Sequence, residues 1–235
     1  MAAFEAVKTR DYNVIIEALE QLGACIQDAA ALMDRMYEKC DPMVFYHHIR
    51  PFLAGSLGME GAGLPRGIFY DEGHGKGRWR QLRGGSNGQS SLIHFFDIVL
   101  GINHSGHSCA GTTSYHDEVR GYMPGDHRRF LSYIARLDSI RDLAMSVPTT
   151  PEQHRLQETF TAVIGVLRNF RSKHIQIVTR YVILPSKQPW EGTRQNLASL
   201  SSACGRDEQL TGTGGTILLP FLKQAREETA VAGRA

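Results

Sequence analysis

The sequence predicts an all-α fold. Apolar residues recur at intervals of three and four along two long stretches, and proline and capping residues stand where such stretches begin. No series of alternating strands is visible. With 235 residues, 42% hydrophobic and 21% charged, the chain is long enough to bury one substantial core, so a single large helical domain over 1–235 is expected. A net charge of +2, from 26 basic and 24 acidic residues, is too weak a field to draw nucleic acid or an anionic membrane. The densest basic stretch, Lys76 to Arg83, is interrupted by Gly77, Trp79 and Leu82 and reads as solvated surface, as does His127-Arg128-Arg129. No stretch approaches the ~20 apolar residues of a membrane span. The first residues carry Glu5, Lys8 and Arg10 and no apolar signal core, so a cytoplasmic monomer is expected. Cys25, Cys40, Cys109 and Cys204 show no CxxC spacing and read as free thiols rather than a zinc site or a disulfide framework.

The first element runs from Asp11 to Lys39, where Ile15, Leu19, Leu22, Ile26, Ala29, Met33 and Met36 form one stripe. Pro42 is placed as the first residue of a second helix containing Phe45, Ile49, Phe52 and Leu53. Between Gly55 and Gly88 glycine is so frequent that regular structure is not expected, and a loop of that length inside a domain is usually functional. Helix signals return after Ser86, with Leu92, Phe95, Phe96 and Val99 on one face until Gly101. Two amphipathic segments follow, at about 114 to 122 and 125 to 145, parted by Pro124. The longest helix begins at Thr150-Pro151-Glu152, with Thr150 as cap, and runs to Leu184. Its stripe is Phe160, Val163, Leu167, Phe170, His174, Ile177, Tyr181 and Leu184. A polar loop then leads to Gly212-Thr213-Gly214-Gly215-Thr216 and a last helix at about 217 to 229.

Several residues stand out chemically. His174 occupies a stripe position where an apolar residue is expected. It is either a core histidine bonded to a neighbour or an axial ligand to a metal or haem. Asp97, among apolar neighbours, either accepts the second N–H of a ligating histidine, pairs with Arg171 one turn before His174, or simply lies on a polar face. Arg50 follows Phe45, Tyr46, His47, His48 and Ile49. A guanidinium among aromatics suits a carboxylate, although many such arginines only reach outward. The loops Arg83 to Gly88 and Gly212 to Thr216 let backbone N–H groups approach an anion or a flat ligand, or serve as linkers, and neither is a Walker A loop. His104 and His107 in a Ser/Gly loop are at most a weak metal site, and no HExxH or GxSxG is present.

Taken together and in order, several blocks resemble the indoleamine 2,3-dioxygenase family. They are Gly84-Gly85-Ser86-Asn87-Gly88-Gln89-Ser90-Ser91, Phe96-Asp97-Ile98-Val99-Leu100-Gly101, Tyr122-Met123-Pro124-Gly125-Asp126-His127-Arg128, Arg171-Ser172-Lys173-His174-Ile175-Gln176-Ile177-Val178, Tyr181-Val182-Ile183-Leu184-Pro185 and Gly212-Thr213-Gly214-Gly215-Thr216. The resemblance spans about residues 11 to 229.

The resemblance implies a helical haem-binding domain with haem b as cofactor and His174 as its iron ligand. Asp97 and Arg171 would stand behind that ligand and approach a propionate. Arg50 would hold the substrate carboxylate and Phe45 pack on the indole, with Tyr46 standing where the family usually has phenylalanine. Gly85 and Ser86 would line the distal side, and Thr213 with its glycines would form a mobile loop over the pocket. The implied reaction is insertion of O₂ across the indole 2,3 bond of L-tryptophan, giving N-formylkynurenine. The chain departs from the family pattern at its front, where a smaller domain and a distal-pocket segment are expected. Without them one wall of the pocket would be open, and the alternative expectation is a haem-binding or interaction protein of the same fold with impaired catalysis.

Overall fold

The computed structural model describes residues 1–104, 115–189 and 210–234. Eleven α-helical segments follow in order among them: α1 (Ala2–Thr9), α2 (Tyr12–Asp34), α3 (Met36–Lys39), α4 (Pro42–Val44), α5 (Ser91–Val99), α6 (Tyr115–Arg120), α7 (Gly125–Ile134), α8 (Ile140–Ala144), α9 (Pro151–Val178), α10 (Leu184–Ser186) and α11 (Leu218–Ala232). One antiparallel ribbon, β1 (Ile68–Gly73) and β2 (Lys76–Arg80), interrupts the helical order. No described helix is long and apolar enough to cross a membrane.

The described chain falls into two compact units, each assembled from separate stretches. The first comprises Met1–Met36, Gly88–His174 and Leu222–Ala235, and the second Tyr37–Asn87 and Ile175–Phe221. The first unit holds the main core. Ile15, Leu19 and Ile26 of α2, Phe96 of α5, Leu131 and Ile134 of α7, and Leu156, Phe160 and Leu167 of α9 are nearly or fully buried there. At ~1.5–3 kcal/mol per fully buried large apolar side chain, the α2 and α9 stripes are the main source of its stability.

Local chemistry sets where these helices start. Asp11 Oδ1 accepts from Val14 N at 3.3 Å and opens α2, directly after Arg10 closes α1 in a left-handed conformation with φ 55°. At α9 Thr150 and Gln153 form a reciprocal box. Gln153 N donates to Thr150 Oγ1 at 3.3 Å, and Thr150 N donates to Gln153 Oε1 at 3.2 Å. The helix α1 was not expected from the sequence.

Three expectations need correction. The second helix does not continue from Pro42 to Leu53. Asp41 caps α4, the backbone then widens into a π turn at Phe45–Ile49 and tightens into a 3₁₀ turn at Arg50–Leu53. The same widening, at Thr179–Ile183, separates α9 from α10. Each π turn ends two residues before a proline, Pro51 or Pro185, whose ring and missing N–H disrupt the regular ladder behind them. The segment expected at 125 to 145 is two helices, α7 and α8, with Ser139 Oγ capping the second by accepting from Asp142 N at 3.1 Å.

The third correction concerns the glycine-rich stretch, which contains the β1–β2 ribbon. Gly73 pairs with Lys76, leaving His74 and Gly75 as a two-residue turn with φ of 52° and 71°. Two positive φ values match the mirror-image turns that suit strand twist. Ser56 anchors the base of the ribbon, its Oγ donating to Arg80 O and accepting from Leu82 N, both at 3.0 Å.

Candidate functional site

In the first unit the long helix α9 carries Arg171 and His174 on adjacent turns. The guanidinium of Arg171 pairs with the Asp97 carboxylate of α5 in a buried ion pair and also donates to the Ala225 carbonyl oxygen of α11. Asp97 Oδ2 is engaged as well, by His104 Nε2 at 2.9 Å. His174 is partly buried, and burial first, then the charge of Arg171, lowers its pKa below the ordinary histidine range. A lowered value favours the neutral imidazole at pH 7, the form that ligates a metal. The sequence marks His104 only as part of a weak metal pair. Its companion His107 lies outside the described residues, as do Cys109 and Cys204, while Cys25 and Cys40 are free thiols.

The second unit holds the other predicted residues. Arg50 is 3% exposed, lies 5.5 Å from the centroid of the Tyr46 ring, and donates through Nη2 to Thr211 O at 2.8 Å. Burial lowers its pKa, though a guanidinium stays protonated in a protein. Phe45 packs edge-on against Tyr181, their rings 5.8 Å apart. The threonine and glycine loop is stitched to the Gly84-Gly85 loop. Thr213 Oγ1 donates to Gly85 O at 2.6 Å, Gly84 N donates to Thr213 O at 3.1 Å, and Arg83 Nη1 donates to Gly214 O at 2.6 Å. Backbone and side-chain bonds together thus join this segment, expected as a mobile loop, to the Gly84-Gly85 loop.

The two neighbouring glycines differ sharply. A methyl group on Gly84 would lie 2.3 Å from Leu53 O and 2.5 Å from Thr213 O, whereas one on Gly85 would meet nothing within 4 Å. Gly84 is needed for close backbone approach, and Gly85 borders open space beside Ser86.

The residues from 1 to 232 match the family model described as indoleamine 2,3-dioxygenase. The chain belongs to this family. It is 42% identical to an indoleamine 2,3-dioxygenase of Saccharomyces cerevisiae, over 93% of this chain and 50% of that one. It is 38% identical to an indoleamine 2,3-dioxygenase of Aspergillus nanangensis, over 97% and 53%. A 6-hydroxytryptophan 2,3-dioxygenase of Fusarium equiseti is 35% identical, over 97% and 54%. The chain spans about half the length of the curated relatives it matches.

Indoleamine 2,3-dioxygenases depend on haem, and the donor chemistry fits that group. Haem iron needs one strong protein ligand rather than several, and His174 offers a desolvated neutral imidazole. Among the described residues no group of three or more His, Cys, Asp or Glu side chains is arranged to hold a metal ion. In the second unit, Gly85 leaves a bare backbone face, where a methyl group would meet nothing within 4 Å. A groove of about 610 Å³ in the second unit, bordered by Met43, Ile175, Thr179 and Leu184, includes none of the predicted site residues.

Proposed function

We propose that the chain is the haem-binding part of a dioxygenase that opens the indole ring of L-tryptophan or a ring-substituted tryptophan. The observation that carries this reading is the neutral, partly buried His174 one turn beyond the Arg171–Asp97 ion pair. When bound, haem supplies the activation of O₂, both atoms of which enter the indole 2,3 bond to give N-formylkynurenine from tryptophan.

The chain's own residues then have definite tasks. His174 would hold the iron and, in its neutral form, would need to lose no proton to do so. Arg50 supplies a forked cation for the substrate carboxylate, and its bond to Thr211 fixes the plane of that fork. Phe45 and Tyr46 offer aromatic faces to the indole. The loops at Gly84-Gly85 and Thr213-Gly214, bonded to each other, would border the bound haem. The Fusarium relative's name extends the substrate class to a hydroxylated indole. A cytoplasmic, monomeric protein that meets its small substrates without nucleic acid or membrane completes the proposal.

The test is turnover. Purified protein supplied with haem, ascorbate and methylene blue is expected to convert L-tryptophan to N-formylkynurenine, followed by absorbance. Haem-loaded protein that releases no kynurenine product from tryptophan or 6-hydroxytryptophan would overturn the enzymatic reading.

A further inference from the structure

Behind the Arg171–Asp97 pair lies a run of charged groups that the proposed reaction does not use. His104 lies between two carboxylates, with Nε2 2.9 Å from Asp97 Oδ2 and Nδ1 2.6 Å from Glu228 Oε2. Carboxylates only accept, so satisfying both contacts requires a hydrogen on each ring nitrogen. The side chains of Arg171, Asp97, His104 and Glu228 are all 15% exposed or less. Their charges alternate, positive and negative, and cancel, which is the arrangement that makes burying them tolerable.

The neighbours keep this run at one imidazolium. His116 of α6 stacks on His104, with ring centroids 4.2 Å apart and planes 8° from parallel. Its pKa is pushed down to about 4 by burial first and then by His104 and His94, so it adds no second cation at pH 7. His94 of α5 bonds the Gly88 carbonyl oxygen through Nε2 at 2.9 Å, and its Nδ1 accepts from Arg120 Nε at 3.3 Å, a neutral tautomer. On α11, Gln224 Nε2 donates to Glu228 Oε1 at 2.7 Å and holds that carboxylate from behind. Burial pulls the His104 pKa down, but the hydrogen bond and charge of Asp97 and the hydrogen bond to Glu228 outweigh it and raise the value.

We infer that His104 is a positioning residue for the haem site: as a buried imidazolium bridging Asp97 and Glu228, it fixes the carboxylate that orients Arg171 one turn ahead of His174. Only the link to haem rests on the function proposed above; the clamp on Arg171 belongs to the protein without it. Glu228 is 124 residues from His104, so the clamp also joins α11 to α5 and α9.

The experiment compares the wild-type chain with His104→Gln, which removes the charge, and His104→Arg, which restores a cation able to reach two carboxylates. In ¹⁵N-labelled haem-free protein at pH 7.5, both ring nitrogens of His104 are expected at imidazolium shifts. The Arg171 guanidinium N–H signals are expected to exchange at least tenfold faster in His104→Gln and to recover in His104→Arg. With haem bound, the midpoint potential of iron is expected to fall in His104→Gln, where a positive charge is lost, and to return in His104→Arg. A neutral His104 ring, or Arg171 exchange unchanged in His104→Gln, would overturn the clamp; the wild-type ring measurement decides even if the variant does not fold. Faster Arg171 exchange with an unmoved potential would overturn the link to haem. Wild type that takes up no haem while showing the expected His104 and Arg171 signals would sink the proposed function and leave the clamp standing.

Discussion

Asp97 and Arg171, 74 residues apart in sequence, form a buried ion pair between α5 and α9, and the same guanidinium reaches the Ala225 carbonyl oxygen of α11. Three helices are thereby joined by one side chain, one turn before His174. Because the pair is nearly dry, its two partners are not interchangeable with an exposed ion pair worth well under a kcal/mol.

Removing one partner of such a pair leaves an uncompensated charge. Asp97→Ala sets Arg171 and His104 against each other with no carboxylate between them, and a loss of about 3–5 kcal/mol is expected from the urea midpoint. A loss of less than about 1 kcal/mol would show that water reaches these groups.

Adjacent glycines give opposite expectations. Gly84→Ala forces a methyl group against the Leu53 and Thr213 carbonyl oxygens, and a loss of more than about 1 kcal/mol is expected. Gly85→Ala meets open space, so its melting temperature should stay close to wild type while haem occupancy drops. Equal melting temperatures for the two variants, or full haem loading of Gly85→Ala, would contradict the assignment of these loops.

Arg50 and Thr213 separate binding from loop closure. Arg50→Ala is expected to retain haem but to lower turnover of tryptophan by roughly 10- to 100-fold at low substrate, the equivalent of one lost charge-assisted bond. Thr213→Val removes only the 2.6 Å bond to Gly85, and faster cleavage by protease near Gly212 to Gly215 is the readout. Unchanged turnover in Arg50→Ala would remove the carboxylate role.

Stability in acid depends on the histidines held neutral. Unfolded histidine titrates near ~6.5, whereas folded His116 titrates near about 4 and His94 is also lowered. Between these values the unfolded chain binds more protons, so stability falls as pH drops from ~6.5 toward 4, by on the order of 1–3 kcal/mol for His116. His104 has the opposite sign. Its pKa is raised on folding, so its contribution is complete below ~6.5 and is lost as pH rises through the folded value. Urea midpoints at pH 4.5 and 7 should differ less in His116→Gln than in wild type, and an equal difference would contradict this account.

The helical frame was legible because burial imposes a period. The stripes of α2 and α9 were readable, as was the Thr150 cap, whereas Pro185 lies inside α10 and does not end the helix. The density of glycine hides the ribbon at Ile68 to Arg80, because glycine is depleted in strands. The usable signal was a His74-Gly75 turn flanked by Phe69, Tyr70 and Trp79. Both π turns were hidden, since periodicity does not register one extra residue before a proline.

Pairings across the chain left no local trace. Nothing near His104 marks Glu228, 124 residues away, as its partner. Likewise nothing near Arg50 marks Thr211, 161 residues away. The pairing of Asp97 with Arg171 was one of three alternatives the residues allowed, and only packing of α5 against α9 selects it.

The most direct test of the account is haem titration of wild type and His174→Ala under identical conditions. Wild type should take up one haem per chain with a Soret band of a histidine-ligated iron, and the variant should retain none after gel filtration. A wild type that stays colourless, or a His174→Ala variant loaded to the same occupancy with the same spectrum, would contradict it.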